Sequence, residues 1–430
     1  MAYKYLIIGN SAGGIGAAEA IRSVDAEGSL AILSDEPCVA YSRPMITNLL
    51  TGQASFNNMV YRSSDFYTEN RIETLLGKKV AKLQPSENKV TLDGGEEITY
   101  EKLLLATGGT PFIPKMNGLQ KKGIHTFTTI KDAEEIRGKI QQQEIGEAVV
   151  LGGGLIGLLT AEALVTMGLK VTVVELLDRV LAPLLDPKAS AMVREVVERN
   201  GIQVVTGRTV TEVLGKDEVT GVQLDDGRWL PCKLFVVAVG VAPNAGLARE
   251  AGLKVNRGIA VNSRMETSIP NIYACGDCAE LLDFLSGNNR PIPIWPAAYM
   301  SGMVAGSNMA KSPKEYDGGV GMNSMHLFGF PVISFGKVNP TDAEGCEVLS
   351  KTDEVRGAYR KIVLSGNQIV GAILVEDIDR AGILLGLMRR KVDVSGCKEA
   401  LIQDDLGLIS LPRAVRSRMF EMSVKKNVAK

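Results

Sequence analysis

The chain is short of histidine, of cysteine and of surplus charge. Of its 430 residues only two are histidine and six are cysteine, and the formal net charge is -1. A balance so near zero gives no global field toward nucleic acid or an anionic membrane. The local basic runs, Lys121-Lys122, Arg389-Arg390-Lys391 and Lys425-Lys426, read as solvated surface rather than as docking patches for an acidic partner. Cysteines scattered this thinly do not suggest a disulfide scaffold. No apolar run approaches the ~18 residues that a membrane helix needs. A secretory signal is not expected either, because Tyr3 to Gly9 already reads as a strand; the expected location is the cytoplasm. What is present is ordinary for a globular protein, 45% hydrophobic and 23% charged residues. The length calls for two or three domains.

Glycine is where the information lies. YLIIGNSAGGIGAAEAIR, Tyr5 to Arg22, is an apolar strand, a glycine turn and an Ala-rich helix. A dinucleotide site needs that order: the turn is tight, the backbone approaches a pyrophosphate, and the helix N-terminus faces its charge. The fingerprint is G-x-G-x-x-G, and Ser11 takes its middle place between Gly9 and Gly14. An acid is expected about 20 residues further on, for a ribose hydroxyl. Asp35 and Glu36 fill that place at the end of the strand Ser29 to Ser34. AVVLGGGLIGLLTAEAL, Ala148 to Leu164, repeats the pattern without a defect at Gly152, Gly154 and Gly157, and KVTVVE ends on Glu175. A carboxylate there accepts from both ribose hydroxyls and repels a 2'-phosphate, so this second site should take NAD(H) rather than NADP(H). One glycine fingerprint is weak evidence; two, each in a strand-turn-helix context and each followed by an acid, are strong. Two nucleotide sites imply one exchangeable nicotinamide and one resident carrier, for which flavin is the natural candidate.

LLLATGGTP, Leu103 to Pro111, and NIYACGDCAE, Asn271 to Glu280, complete a pattern. Together these stretches resemble the FAD-dependent pyridine nucleotide-disulfide oxidoreductase superfamily, from Met1 to about Ala310. The resemblance implies an α/β fold of two Rossmann-like domains, one for FAD and one for NAD, with an α+β C-terminal interface domain. The FAD domain would be split, Met1–Pro114 and Val237–Ala310, around an NAD domain at Lys115–Val236; Gly319–Lys430 would be the interface domain. GAYRKIVLSGNQIVGAILVED, Gly357 to Asp377, reads by itself as a hairpin about a Gly-Asn turn, followed by a helical segment from Arg380 to Met388. By resemblance, Gly9, Ser11 and Gly14 cradle the FAD pyrophosphate and Asp35, next to Glu36, meets the adenosine ribose. The Val80 backbone meets the adenine. Ala106, Thr107 and Gly108 form the turn near the flavin, and Asp277, next to Gly276, accepts from the ribityl chain. Trp295, Pro296 and Ala297 fall where the family approaches the flavin ring, though Trp295 reads equally well as a plain core aromatic. Gly240, in the VVAVGVAPN return to the FAD domain, also belongs to the implied cofactor set. Gly152, Gly154, Ile156, Gly157 and Glu175 hold NAD(H). Leu159 stands where the family often has a glutamate that helps gate the nicotinamide.

Cys38 decides between branches of the family. Members that reduce disulfides carry a Cys-x-x-x-x-Cys pair on the helix after this loop, or one cysteine near its start, and Cys38 precedes both the Arg43-Pro44 step and the helix. Such chemistry also needs an acid-base partner, commonly His with Glu, and neither His125 nor His326 sits in a His-Glu motif at the C-terminal end. Cys38 therefore reads as a small buried hydrophobe. Cys275 and Cys278 have a redox or metal spacing, but Gly276-Asp277 between them already has the flavin role, and they read as structural. Tyr41-Ser42-Arg43-Pro44 is more similar to the branch without a redox cysteine, that of rubredoxin and ferredoxin reductases. There Arg43 would contact FAD, and Asn48 would stand where many members have a lysine. The expectation is a FAD-dependent oxidoreductase, with no catalytic side chain and no metal of its own. It would move electrons between NAD(H) and an iron–sulfur carrier protein or subunit, in a homodimer or in a complex such as tungsten aldehyde oxidoreductase or phenylglyoxylate dehydrogenase. The alternatives are a coenzyme A-disulfide reductase or NADH oxidase using Cys38, and a non-catalytic flavoprotein whose redox state governs partner binding.

Overall fold

The structure is a computed structural model that describes residues 1–142 and 145–404, with 406, 407, 409, 411–413, 416 and 417. The Lys425-Lys426 pair lies outside the described residues; Lys122 and Lys391 are exposed. Among the described residues no helix is long and apolar enough to cross a membrane. The chain forms two compact units, Met1–Phe112 with Thr128–Arg137 and Gly240–Val320, and Ile113–Phe127 with Gly138–Val239 and Gly321–Lys430.

The first unit is built on a seven-stranded sheet. Its parallel part runs Ile72–Leu76, Leu30–Ser34, Ala2–Ile8, Glu97–Leu105 and Ile272–Ala274. Strands covered on both faces read as continuous apolar runs, and Leu30–Ser34 is buried at every position. Leu6, Ile7, Ile32 and Leu33 are fully buried, each contributing about 1.5–3 kcal/mol of hydrophobic stabilisation. Glu97–Leu105 divides its pairing. Its first half meets the antiparallel strand Lys89–Leu92, which continues to Val80–Gln84, and its second half meets Ile272–Ala274. Helix Ala12–Val24 connects Ala2–Ile8 to Leu30–Ser34 on one side, whereas Glu97–Leu105 lies on the other. The carboxyl ends of Ala2–Ile8 and Glu97–Leu105 thus border a topological switch point, where α/β sheets hold their ligands.

The second unit repeats the plan. Its parallel sheet runs Ile202–Thr206, Lys170–Glu175, Glu147–Leu151, Leu234–Val237 and Ile124–His125. Helix Leu155–Thr166 leaves the central strand, and the switch point lies between Glu147–Leu151 and Leu234–Val237. An antiparallel meander, Val210–Leu214, Gly221–Leu224 and Trp229–Pro231, packs its buried face on this sheet. The C-terminal part is a five-stranded antiparallel sheet. Its hairpin Ala358–Ser365 and Gln368–Val375 turns at Gly366-Asn367 and is followed by helix Ala381–Arg389, as the alternation predicts. Asp186 ties this sheet to the nucleotide-type sheet. Its carboxylate caps helix Pro187–Arg199 through the Ala189 N–H (2.9 Å) and accepts from the Tyr359 hydroxyl (2.7 Å) and Lys361 Nζ (3.0 Å).

Candidate functional site

At the first switch point the chain leaves Ala2–Ile8 through Gly9, whose φ of +121° places the missing Cβ 2.1 Å from the Ala106 carbonyl oxygen. Any side chain there would strike the neighbouring strand end. A Cβ on Gly14 would lie 1.9 Å from the Gly9 carbonyl oxygen, so helix and turn touch backbone to backbone. Ser11 is the N-cap of Ala12–Val24, yet its side chain makes no capping hydrogen bond. The amides of the first helical turn therefore stay open, and a helix start of this length is an anion site. Asp35 is exposed beyond the next strand, whereas Glu36 is engaged by the Tyr41 hydroxyl (2.6 Å) and the Arg43 guanidinium.

Two ties that the sequence reading missed hold the loop from Glu36 to Arg43 beside the glycine turn. The Tyr67 hydroxyl donates to Asn10 Oδ1 (2.8 Å) and accepts from the Ala40 N–H (3.1 Å). Arg43 donates to the Thr128 carbonyl (3.1 Å) and stacks on Tyr41 at 5.2 Å. Thr128 precedes a helix start whose Thr129 and Asp132 cap one another, with Thr129 Oγ1 accepting from the Asp132 N–H at 3.1 Å and Asp132 Oδ2 from the Thr129 N–H at 2.9 Å. That T-x-x-D pattern was the available signal. Asn48 lies on the short helix Ile46–Thr51, half-buried, and donates to Gln53 Oε1 (3.2 Å). Val80 opens the antiparallel excursion, paired with Leu92.

The turn after Glu97–Leu105 is pinned from a distant segment. Thr107 Oγ1 donates to the Asn244 carbonyl (2.7 Å), and the Asn244 N–H donates to the Gly108 carbonyl (2.9 Å). Gly240 (φ +119°) accepts from the Phe112 N–H (2.9 Å), four residues beyond that turn. Ile272–Ala274 delivers Gly276 and Asp277 to the same sheet end. Burial raises the Asp277 carboxyl to about 6 despite the pull of Arg43. It has no hydrogen-bond partner among the described residues. Helix Trp295–Met309 packs on Ala12–Val24 through glycine: a Cβ on Gly302 would stand 2.1 Å from the Gly13 carbonyl oxygen, and one on Gly306 2.2 Å from that of Ala17. Ala297 is buried in that helix, and Trp295 is half-buried, edge-on to Tyr61 at 5.1 Å, rather than a plain core residue.

These residues fit FAD. Open amides at a helix start suit a pyrophosphate, and a half-buried carboxyl lacking a partner suits a hydroxyl-rich chain such as ribityl.

In the second unit Gly152 (φ +114°) would place a Cβ 2.4 Å from the Ala238 carbonyl oxygen, and Gly157 one 1.9 Å from that of Gly152. The geometry of Gly9, Gly14 and Ala106 is thus repeated. Gly154 caps helix Leu155–Thr166 without a side chain, and Ile156 sits in the first turn. Glu175 accepts from the Gly153 N–H (2.6 Å) and the Leu177 N–H (2.8 Å), so its carboxylate is fixed beside the turn. A dinucleotide with free ribose hydroxyls fits this set.

All six cysteines are free thiols. Cys38 lies ahead of the turn Arg43–Met45 and the helix Ile46–Thr51 and is half-buried, not buried as expected of a small core hydrophobe; partial burial together with Glu36, against Arg43, pushes its thiol up to about 11. Cys275 and Cys278 are fully buried, and burial raises both thiols. The Cys278 thiol donates to the carbonyl of Cys275 (3.2 Å) or of Leu105 (3.4 Å).

Comparison with known proteins returns the same outline. The model of the pyridine nucleotide-disulphide oxidoreductases matches residues 3–302, and that of the rubredoxin NAD+ reductase C-terminal domain residues 322–392. The chain is 34% identical over 395 residues to a nitrite reductase [NAD(P)H] of Bacillus subtilis (strain 168), covering 91% of this chain but 48% of that one, about half its length. It is 31% identical over 408 residues to the NADH-dependent phenylglyoxylate dehydrogenase subunit epsilon of Aromatoleum evansii, covering 94% of this chain and 96% of the relative. Among solved structures, a NAD-dependent persulfide reductase from A. fulgidus superposes with a TM-score of 0.87 at 26% identity, over 100% of this chain and 84% of that one.

Proposed function

The chain belongs to the pyridine nucleotide-disulphide oxidoreductase family, and from that premise we propose that it moves electrons between NAD(H) and an iron–sulfur protein or subunit by way of bound FAD. FAD supplies what no side chain can, accepting a hydride and releasing electrons singly. One observation carries the reading: two glycine crevices of the same build stand in a chain whose candidate redox thiols are either misplaced, as Cys38 is, or sealed, as Cys275 and Cys278 are. Without a thiol relay the second partner must take electrons directly, and an iron–sulfur centre does so. The match of the C-terminal sheet to a rubredoxin NAD+ reductase domain supports the same partner class.

In this reading residues 1–114 and 237–310 form the FAD domain, 115–236 the NAD domain and 319–430 the interface domain. Gly9, Ser11 and Gly14 hold the FAD pyrophosphate with the open amides of the helix start, and Asp35 takes the adenosine ribose, since Glu36 is occupied by Tyr41 and Arg43. The Val80 backbone meets the adenine. Arg43, Asn48, the Ala106–Gly108 turn, Gly240 and Ala297 surround the flavin, and Gly276 presents Asp277 to the ribityl hydroxyls. Gly152, Gly154, Ile156 and Gly157 hold the NAD(H) pyrophosphate, and Glu175 its adenosine ribose. The protein works in the cytoplasm, and the C-terminal sheet makes the contact to a second subunit, alike or different. The work of these side chains is positioning, with no side-chain proton transfer.

The test is anaerobic. The FAD-loaded protein is mixed with NADH and oxidised rubredoxin or a [2Fe–2S] ferredoxin, and bleaching of the carrier is followed. Multiple turnovers that require FAD are expected. Turnover with coenzyme A disulfide or oxygen that exceeds every iron–sulfur carrier, and that Cys38→Ser abolishes, would sink the proposal.

A further inference from the structure

We propose that Ser301 is a positioning residue for the flavin site, fixing the place of Asp277 through the backbone of Gly276. The inference rests on the FAD reading of the first unit.

Ser301 lies in the middle of helix Trp295–Met309 and is fully buried. Its hydroxyl donates within its own helix, to the carbonyl of Ala297 (2.7 Å) or Ala298 (3.0 Å), and accepts from the Gly276 N–H at 3.1 Å. One proton and one lone pair are thereby used. The acceptor role answers a need created by the sheet. The pairing of Ile272–Ala274 with Glu97–Leu105 ends at Leu105, whose carbonyl takes the Cys275 N–H at 3.1 Å. Gly276 is the next residue; it turns out of the sheet at φ +69° and finds no strand carbonyl. A buried N–H in that position must have a partner, and Ser301 supplies it. A Cβ on Gly276 would come within 3.3 Å of the Ala298 Cβ, so the turn also rests directly on this helix.

Asp277 inherits its position from that turn. Its carboxyl is half-buried without a hydrogen-bond partner among the described residues, and Arg43 attracts it against the opposing effect of burial. No hydrogen bond holds the side chain from its far end, so the backbone on which it rides decides where it points. The same helix contains a control. Ser307 is also buried and donates back to the Met303 carbonyl at 2.9 Å, with no bond to the turn.

The test measures FAD dissociation constants of the full-length apoprotein by recovery of flavin fluorescence and absorbance. Ser301→Ala should weaken FAD binding about tenfold, because the turn that carries Asp277 loses the bond that fixes it and must be ordered when the ligand binds. Ser307→Ala should stay within about twofold. If Ser301 acts through Asp277, then Ser301→Ala added to Asp277→Asn should cost about twofold or less beyond Asp277→Asn alone, since residues acting as a unit are not additive. Equal effects of Ser301→Ala and Ser307→Ala, or full additivity with Asp277→Asn, would overturn the inference. Failure of the unaltered protein to bind FAD would instead remove the reading on which it rests.

Discussion

Cys38→Ser separates a flavin conduit from a thiol enzyme. The thiolate, not the thiol, attacks disulfides and donates charge to a flavin, and working thiols are commonly lowered to about 3.5–7.5. Cys38 moves the other way. Burial and the neighbouring Glu36 push it up to about 11, and the opposing charge of Arg43 does not reverse the direction. Four units above neutral pH leave roughly one molecule in ten thousand as thiolate. Burial is also the larger cause, so removing Glu36 alone would not release the thiol. We expect an anaerobic titration of the FAD-loaded protein with NADH to bleach the flavin band with one equivalent per flavin. Cys38→Ser should give the same endpoint and the same spectrum. The reasoning fails if a second equivalent is required and a long-wavelength band after the first disappears in Cys38→Ser.

Glu175→Gln should weaken NADH binding about tenfold and narrow the preference over NADPH by a similar factor, because the neutral amide neither accepts both ribose hydroxyls nor repels a 2'-phosphate; an unchanged ratio of kcat/KM for the two nucleotides would exclude Glu175 from discrimination. Burial raises the Asp277 carboxyl to about 6, and a ribityl hydroxyl donating to it would favour the ionised form. FAD affinity should therefore rise with pH up to about 6 and level off above, by at most about tenfold per pH unit. Asp277→Asn should flatten that profile, and a flat profile in the unaltered protein would refute the assignment. Against the opposing effect of burial, the Ala189 N–H, Tyr359 and Lys361 hold Asp186 below the ordinary carboxylate range. That stability is present above the unfolded carboxylate value and is lost as pH falls through the folded one. Asp186→Asn should cost about 3 kcal/mol, because Lys361 is left buried without its counter-charge, and should flatten the acid limb of a denaturant-midpoint curve; a midpoint within error of the unaltered protein would contradict it.

The parts of the molecule legible in the sequence are those governed by short-range rules. Both glycine turns, the strands on either side of them and the hairpin about Gly366-Asn367 stand where period and turn chemistry place them. Cys38 reads correctly as lying ahead of the helix, because Arg43-Pro44 marks the turn. The remainder depends on segments far apart in the chain. Tyr67 joins Asn10 to Ala40, Arg43 reaches Thr128, Thr107 reaches Asn244, and Ser301 reaches Gly276. Each rests on one or two polar contacts between segments distant in sequence, and no periodicity announces them. The antiparallel excursion Val80–Leu92 is equally quiet, since its strands are short and half exposed.

Ser11 shows how an imperfect motif can be physically sound. In the first fingerprint the outer glycines are required by geometry: Gly9 by its positive φ and the Ala106 carbonyl, Gly14 by the Gly9 carbonyl. The middle place makes no such demand. Ser11 is extended at φ -134° and ψ -162°, a conformation open to any residue. Its counterpart Gly154 is extended as well, at φ -82° and ψ -175°, with no atom within 4 Å of where its Cβ would stand. Glycine at that position serves the ligand, by letting backbone approach a pyrophosphate, and not the fold. A serine gives up a little of that room and brings a hydroxyl that is not used as a cap. It is therefore free to donate to a phosphate bound there. The departure from the fingerprint falls at the one glycine position where the backbone permits a side chain.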